Sequence, residues 1–171
     1  HVRSRRQRQM CIRDRYGLET ISDLKKIGGP VTICSTLAFM NREDGLLGVE
    51  DRYGINFNKV GVDGSARYTA LMSGEGQVID AYSTDGLLKK FDLVILEDDQ
   101  GVFPPYYAVP VFREEIMEQY PEIADVTEAL ADVLSTDTMA ELNYLVDEEG
   151  QKAEEVAHNF LVENLPEYAR K

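Results

Sequence analysis

Between Tyr16 and Leu96 the apolar positions switch repeatedly between a helical and an extended spacing. Thr20 and Asp23 stand three apart as a capping box, Leu24 and Ile27 follow at helical spacing, and Gly28-Gly29-Pro30 stops the helix they predict. Val31 to Ser35 has the length and apolar content of a buried strand. Asp44 to Tyr53 places Leu46, Val49 and Tyr53 on one helical face ended by Gly54, and Ile55 and Phe57 alternate as a strand. Ser65 to Ser73 predicts a helix, Val78 to Ala81 a short strand, Thr84 to Phe91 a helix with Thr84 as its cap, and Leu93 to Leu96 a further strand.

Alternation of this kind predicts an α/β fold in which a mainly parallel sheet is covered by helices on both faces. Ligands of such sheets bind beyond the carboxyl ends of the strands, where the connecting loops open into a crevice. Two loops are therefore candidates. The one after Ser35 carries Phe39, Asn41 and Arg42, and the one after Ala81 begins with Tyr82.

Beyond Gly101 the pattern changes, because Phe103-Pro104-Pro105 can continue neither a helix nor a central strand. This predicts a crossover. Tyr107 to Phe112 has the pattern of a strand, and helices follow: Glu114 to Tyr120; a second led by Pro121 at its first position, with Ile123, Val126, Leu130 and Val133; and a third from Thr136 to Leu145. The last helix gathers Ala153, Val156, Ala157, Phe160 and Leu161 on one face. Residues 112–171 thus supply helices without enough strands, and are expected to cover a sheet whose other strands come from an upstream portion of the protein.

Composition narrows the function classes. With 171 residues, 43% of them apolar, the chain has enough material for a buried core. Its net charge of −13 argues against a nucleic-acid partner, since phosphate contacts need clustered Lys and Arg. The charge is uneven. Residues 1–14 and Arg15 hold six arginines against Asp14 alone, and removing them leaves 12 basic and 30 acidic residues. That basic leader lacks the apolar region a secretory signal requires. It resembles translated adapter sequence at the end of an assembled gene fragment, and the chain has no initiator Met, so the expectation is that an N-terminal portion is missing. Cys11 and Cys34 give no disulfide framework, and Cys34 sits in an apolar run as a small buried hydrophobe. No run approaches 18 consecutive apolar residues.

Three runs carry a resemblance: NREDGLLGVEDRYGI at 41–55, VIDAYSTDGLL at 78–88 and LVILEDDQGVFPPYYAVPVFRE at 93–114. In order and spacing they resemble the substrate-binding proteins of osmoprotectant ABC transporters. The resemblance implies a bilobal, periplasmic-binding-protein-like fold of type II, with residues 15–103 forming a nearly complete second lobe. Residues 104–171 then form the crossover and the C-terminal helical return to the first lobe. It implies a quaternary-ammonium ligand such as glycine betaine, carnitine or choline, held in a cleft between lobes and handed to an ABC transporter permease. It also implies an extracytoplasmic location, reached by a lipid anchor or a permease fusion, with no cofactor and no catalysis. A ligand-sensing regulatory domain on the same bilobal fold is the alternative.

The chemistry of that ligand class selects particular side chains. A quaternary ammonium carries a full charge but no N–H donor, so aromatic faces must hold it, each ring contributing roughly 0.5–2 kcal/mol. The resemblance assigns such rings to Tyr82 of DAYSTDG and Tyr106 of FPPY, with Tyr107 as the adjacent alternative to Tyr106, and Thr84 beside them. It assigns Arg42, which opens Arg42-x-Asp44-Gly45, to a ligand carboxylate that a planar guanidinium can grip bidentately. Without the resemblance, Arg42 beside Glu43-Asp44 reads as a surface ion-pair partner. Phe39 and Asn41 flank it. Leu37-Ala38 stands where the family pattern has a Pro-Glu pair, which bears on ligand preference.

Other polar clusters read as ordinary surface. Glu97-Asp98-Asp99 reads as a solvated loop rather than a metal site, because consecutive extended residues point to opposite sides. His158 lies beside the apolar face of the last helix with no Ser, Cys or second His arranged to use it. GSARYTALMSGEG lacks the spacing and the Lys-Ser/Thr pair of a phosphate loop.

Overall fold

A computed structural model describes residues 16–169, which divide into two compact units. The first holds residues 16–81 and 95–105. At its centre is a three-stranded parallel sheet of order β2-β1-β3, formed by β1 (Val31–Ser35), β2 (Phe57–Gly61) and β3 (Val78–Ile79). Val31 pairs with Phe57 and Cys34 with both Val60 and Ile79, so β1 is the central strand. Its burial follows from that position, with Cys34 and Ser35 completely enclosed.

A 3-10 helix over Ile21–Ile27 opens the unit. The Asp23 carboxylate closes its start by accepting from the Glu19 and Thr20 N–H groups at 2.9 and 3.2 Å. Gly28, at φ 70°, ends it in the left-handed conformation that glycine adopts without strain. Three helices connect the strands: α1 (Leu37–Met40) and α2 (Leu46–Tyr53) between β1 and β2, and α3 (Ala66–Ser73) between β2 and β3. The apolar face expected for α2 is the one that packs. Leu46, Val49 and Tyr53 are all buried, the last two in a core cluster with Leu18, Ile21, Leu24 and Ile55.

The second unit holds residues 82–94 and 106–169, with five helices among the described residues: α4 (Gly86–Lys90), α5 (Glu114–Gln119), α6 (Ile123–Val133), α7 (Thr136–Asp147) and α8 (Ala153–Asn164). Its interior is thin. None of α5, α6 and α7 has a buried residue, and the apolar faces read from the sequence leave Val126 and Ala157 exposed.

Several predicted elements change form. The ladder of β2 starts only at Phe57, and Ile55 instead joins the core ahead of it. Strand β3 ends at Ile79, because the next residue, Asp80, turns its side chain to Thr36 and its carbonyl to Arg67. Leu93 to Leu96 is not a strand. A lone bridge joins Thr20 to Glu97, and Val94 and Ile95 lie exposed. Thr84 does not take the capping position of its helix; Asp85 stands there, and α4 begins at Gly86. Pro121 likewise precedes its helix, with Glu122 in the capping position before Ile123. Residues 107–112 form no ladder, and Tyr107, Val109 and Val111 are 80%, 70% and 87% exposed.

Candidate functional site

The turn after β1 is built by its own backbone. Thr36 caps α1 by accepting from the Phe39 N–H at 3.3 Å through its hydroxyl and from the Met40 N–H at 3.0 Å through its carbonyl. Asn41 ends α1 and returns its amide to the Leu37 carbonyl at 2.7 Å. The chain then folds back tightly, with the Gly45 N–H bonding the Arg42 carbonyl at 3.1 Å. A Cβ on Gly45 would lie 2.4 Å from the Phe39 carbonyl oxygen, and one on Gly48 would lie 2.1 Å from that of Glu43. Both glycines of DGLLG are therefore demanded by close backbone approach.

Arg42 projects from this turn with its guanidinium forked onto Asp44, Nε donating to Oδ1 at 2.8 Å and Nη2 pairing with Oδ2. Both side chains are partly exposed, so the fork sits where solvent and solutes reach it. The Phe39 ring lies 6.1 Å from that of Phe103, tilted by 34°. Phe39 thereby touches the segment that leads into Pro104-Pro105-Tyr106.

Asp80, just beyond β3, meets the same turn. Its carboxylate accepts from the Thr36 N–H at 3.2 Å and from the Thr36 hydroxyl at 3.3 Å. Arg67, 8% exposed, donates to the Asp80 carbonyl at 2.7 Å and to the Gly64 carbonyl at 2.6 Å, with its Nε 3.9 Å from the Asp80 carboxylate.

The tyrosines belong to the second unit. Tyr82 is 60% exposed, and its N–H bonds the Asp85 carboxylate at 3.3 Å. Thr84 gives its carbonyl to the Asn143 amide at 2.9 Å, tying this segment to α7. Gly86 fits against α7 so closely that a Cβ would lie 2.7 Å from Cα and N of Tyr144. Lys89 and Lys90 then pair with Glu141 of α7 and with Glu148 at its C-terminal end. Tyr106 and Tyr107 follow the Pro-Pro step with large exposed rings. The structure thus groups Phe39, Asn41 and Arg42 on one turn and Tyr82 with Thr84 on another. Tyr106 and Tyr107 adjoin in the extended segment.

Sequence reasoning passed over Asp98. Rather than lying in a solvated loop, its carboxylate accepts from the Tyr53 hydroxyl and, at 2.7 Å, from the Phe103 N–H. The Tyr53 oxygen accepts in turn from the Gln100 N–H at 2.9 Å. Burial pushes the Tyr53 phenol above its ordinary value, and the bonded Asp98 carboxylate pushes it further. For Asp98, burial raises the pKa, but the bonds from Phe103, Tyr53 and the 101–102 backbone outweigh it and hold the carboxyl below its usual range. Only the run of acid after apolar residues marked the spot, and that pattern does not distinguish an anchor from a surface loop. Among the described residues no cluster of His, Cys, Asp or Glu is arranged to hold a metal ion.

Residues 9–163 match the family described as the substrate-binding domain of ABC-type glycine betaine transport systems. The chain belongs to this family. A carnitine transport binding protein of Listeria monocytogenes is 34% identical over 152 residues, covering 88% of this chain and 49% of its own length. An ergothioneine transport permease and binding protein of Helicobacter pylori is 34% identical over 148 residues, covering 86% of this chain and 27% of its own. A solved structure described as a glycine betaine/carnitine/choline ABC transporter superposes with a TM-score of 0.78 at 36% identity, over 88% of this chain and 56% of that one. The family's fold is periplasmic-binding-protein-like, and this chain, with its parallel sheet, has it in part. It spans about half the length of the Listeria relative and less of the Helicobacter one. No helix among the described residues is long and apolar enough to cross a membrane.

Proposed function

We propose that this chain is part of an extracytoplasmic receptor that delivers a quaternary-ammonium osmolyte to the permease of an ABC transporter, and that it carries one side of the ligand-binding cleft. The family match over residues 9–163 is the observation that carries this reading. In it, residues 15–103 belong to one lobe and 104–171 return to the other. A lipid anchor or a fused permease holds the receptor at the membrane.

Tyr82 and Tyr106 supply ring faces to the cation, and their exposure of 60% and 53% suits residues that a ligand covers. Arg42 takes a carboxylate, which it already does with Asp44; a betaine or carnitine carboxylate exchanges for that internal partner. Phe39, Asn41, Thr84 and Tyr107 are further candidates for contact with the ligand.

The test is calorimetry on the longest natural chain that contains these residues, with glycine betaine, carnitine, choline and ergothioneine as ligands. Removing one ring, in Tyr82→Ala or Tyr106→Ala, weakens binding by about 5- to 30-fold, the equivalent of roughly 1–2 kcal/mol. The ligand is recovered chemically unchanged. Unaltered affinity in both variants refutes the cage.

A further inference from the structure

We infer that Asp80 is a positioning residue for Arg42, acting through Thr36, and that this relay sets the preference for ligands that carry a carboxylate. The inference rests on the receptor reading above and adds residues to it that touch no ligand. Its basis is a chain of bonds within one unit. Asp80 leaves β3 next to the point where β1 ends, and its two carboxylate oxygens receive the two donors of Thr36, the N–H and the hydroxyl. The same hydroxyl oxygen accepts from the Phe39 N–H, which fixes the start of α1. Helix α1 is only four residues long, so what fixes its start also aims its end, where Asn41 and Arg42 leave the helix.

Asp80 is itself immobilised. Its side chain is 11% exposed, and the equally enclosed Arg67 holds its carbonyl at 2.7 Å. Arg67 also bonds the Gly64 carbonyl and lies over the Tyr68 ring, 5.1 Å from the centroid. The buried cation therefore braces the relay rather than meeting a solute. The carboxylate gives each Thr36 donor an oxygen of its own, whereas an Asn would have to receive both on one.

The relay makes a prediction that a purely structural role does not. If Asp80 and Thr36 aim Arg42, loosening them weakens ligands that use the guanidinium and spares those held by rings alone. Glycine betaine has a carboxylate and choline has none, so the pair separates the two contributions. Thr36→Val keeps the shape and removes the hydroxyl without touching the Arg67 pair. Thr36→Ser keeps the hydroxyl and serves as the rescue. Asp80→Asn tests the other end of the relay.

The experiment is calorimetry with both ligands on the longest natural chain that contains these residues, with a melting curve for each variant. The expected result is a loss of about 10-fold or more for glycine betaine in Thr36→Val, with choline changed by less than about 2-fold and Thr36→Ser close to the parent. Equal losses for both ligands, or no loss for either, overturn the inference, and Thr36→Val decides the matter even where Asp80→Asn fails to fold. A parent protein that binds neither ligand overturns instead the receptor reading on which the inference rests.

Discussion

Replacing Tyr53 by Phe removes one oxygen and leaves the ring in its core cluster. That oxygen has two partners, the Asp98 carboxylate to which it donates and the Gln100 N–H from which it accepts at 2.9 Å. A hydrogen bond to a charged group contributes about 1.5–3 kcal/mol and a neutral one about 0.5–1.5 kcal/mol. The tyrosine is 1% exposed, but Gln100 lies at the surface, so water recovers part of the second bond. A net loss of about 2 kcal/mol follows, which for a chain of this size lowers the melting temperature by roughly 4–8 °C. Urea unfolding followed by circular dichroism should show a lower midpoint with an unchanged slope, because the exposed surface is the same in both states.

The pH dependence gives an independent check. The Tyr53 phenol titrates higher in the folded protein than in the unfolded chain, so its contribution is fully present below the unfolded value of about 10. That contribution is lost progressively as pH rises through the folded value. Asp98 works in the opposite direction. Its depressed folded pKa stabilises the protein above about 3.9 and is lost as pH falls through the folded value. In Tyr53→Phe the alkaline loss due to Tyr53 disappears and the acid loss shrinks. A variant that melts within about 1 °C of the parent and keeps the full alkaline slope refutes the Tyr53 to Asp98 anchor.

Two further outcomes follow from the geometry. Gly86→Ala places a methyl 2.7 Å from the backbone of Tyr144 and should destabilise the helical unit by about 1–3 kcal/mol, seen as faster amide exchange in α4 and α7. Asp44→Asn releases Arg42 from its internal carboxylate, and calorimetry should find carboxylate ligands bound several-fold more tightly, with a steeper salt dependence, while choline is unaffected.

Much of the sheet was legible because its signals are local. Strand β1 is a buried run bounded by Pro30 and Thr36, and α2 announces itself through Leu46, Val49, Tyr53 and a closing Gly54. Elements whose form depends on a neighbour were not legible. Leu93 to Leu96 has strand composition, yet only Glu97 pairs, and only as an isolated bridge to Thr20. Asp98 read as part of a solvated loop and Asp80 as part of a strand because their partners, Tyr53 and Thr36, lie 45 and 44 residues away in sequence. Charge and spacing alone do not reveal that a carboxylate faces inward. Arg42 is the converse case, since both readings of it, ion-pair partner and carboxylate ligand, describe the same fork.

Gly86 has a mechanical consequence. The polypeptide links Tyr82 to the sheet by only two residues past Ile79, yet the packing of Gly86, the bond from Asn143 to Thr84 and the lysine pairs of α4 fasten its segment to α7. The ring therefore rides with the helices of its own unit, as a tooth rides on its gear.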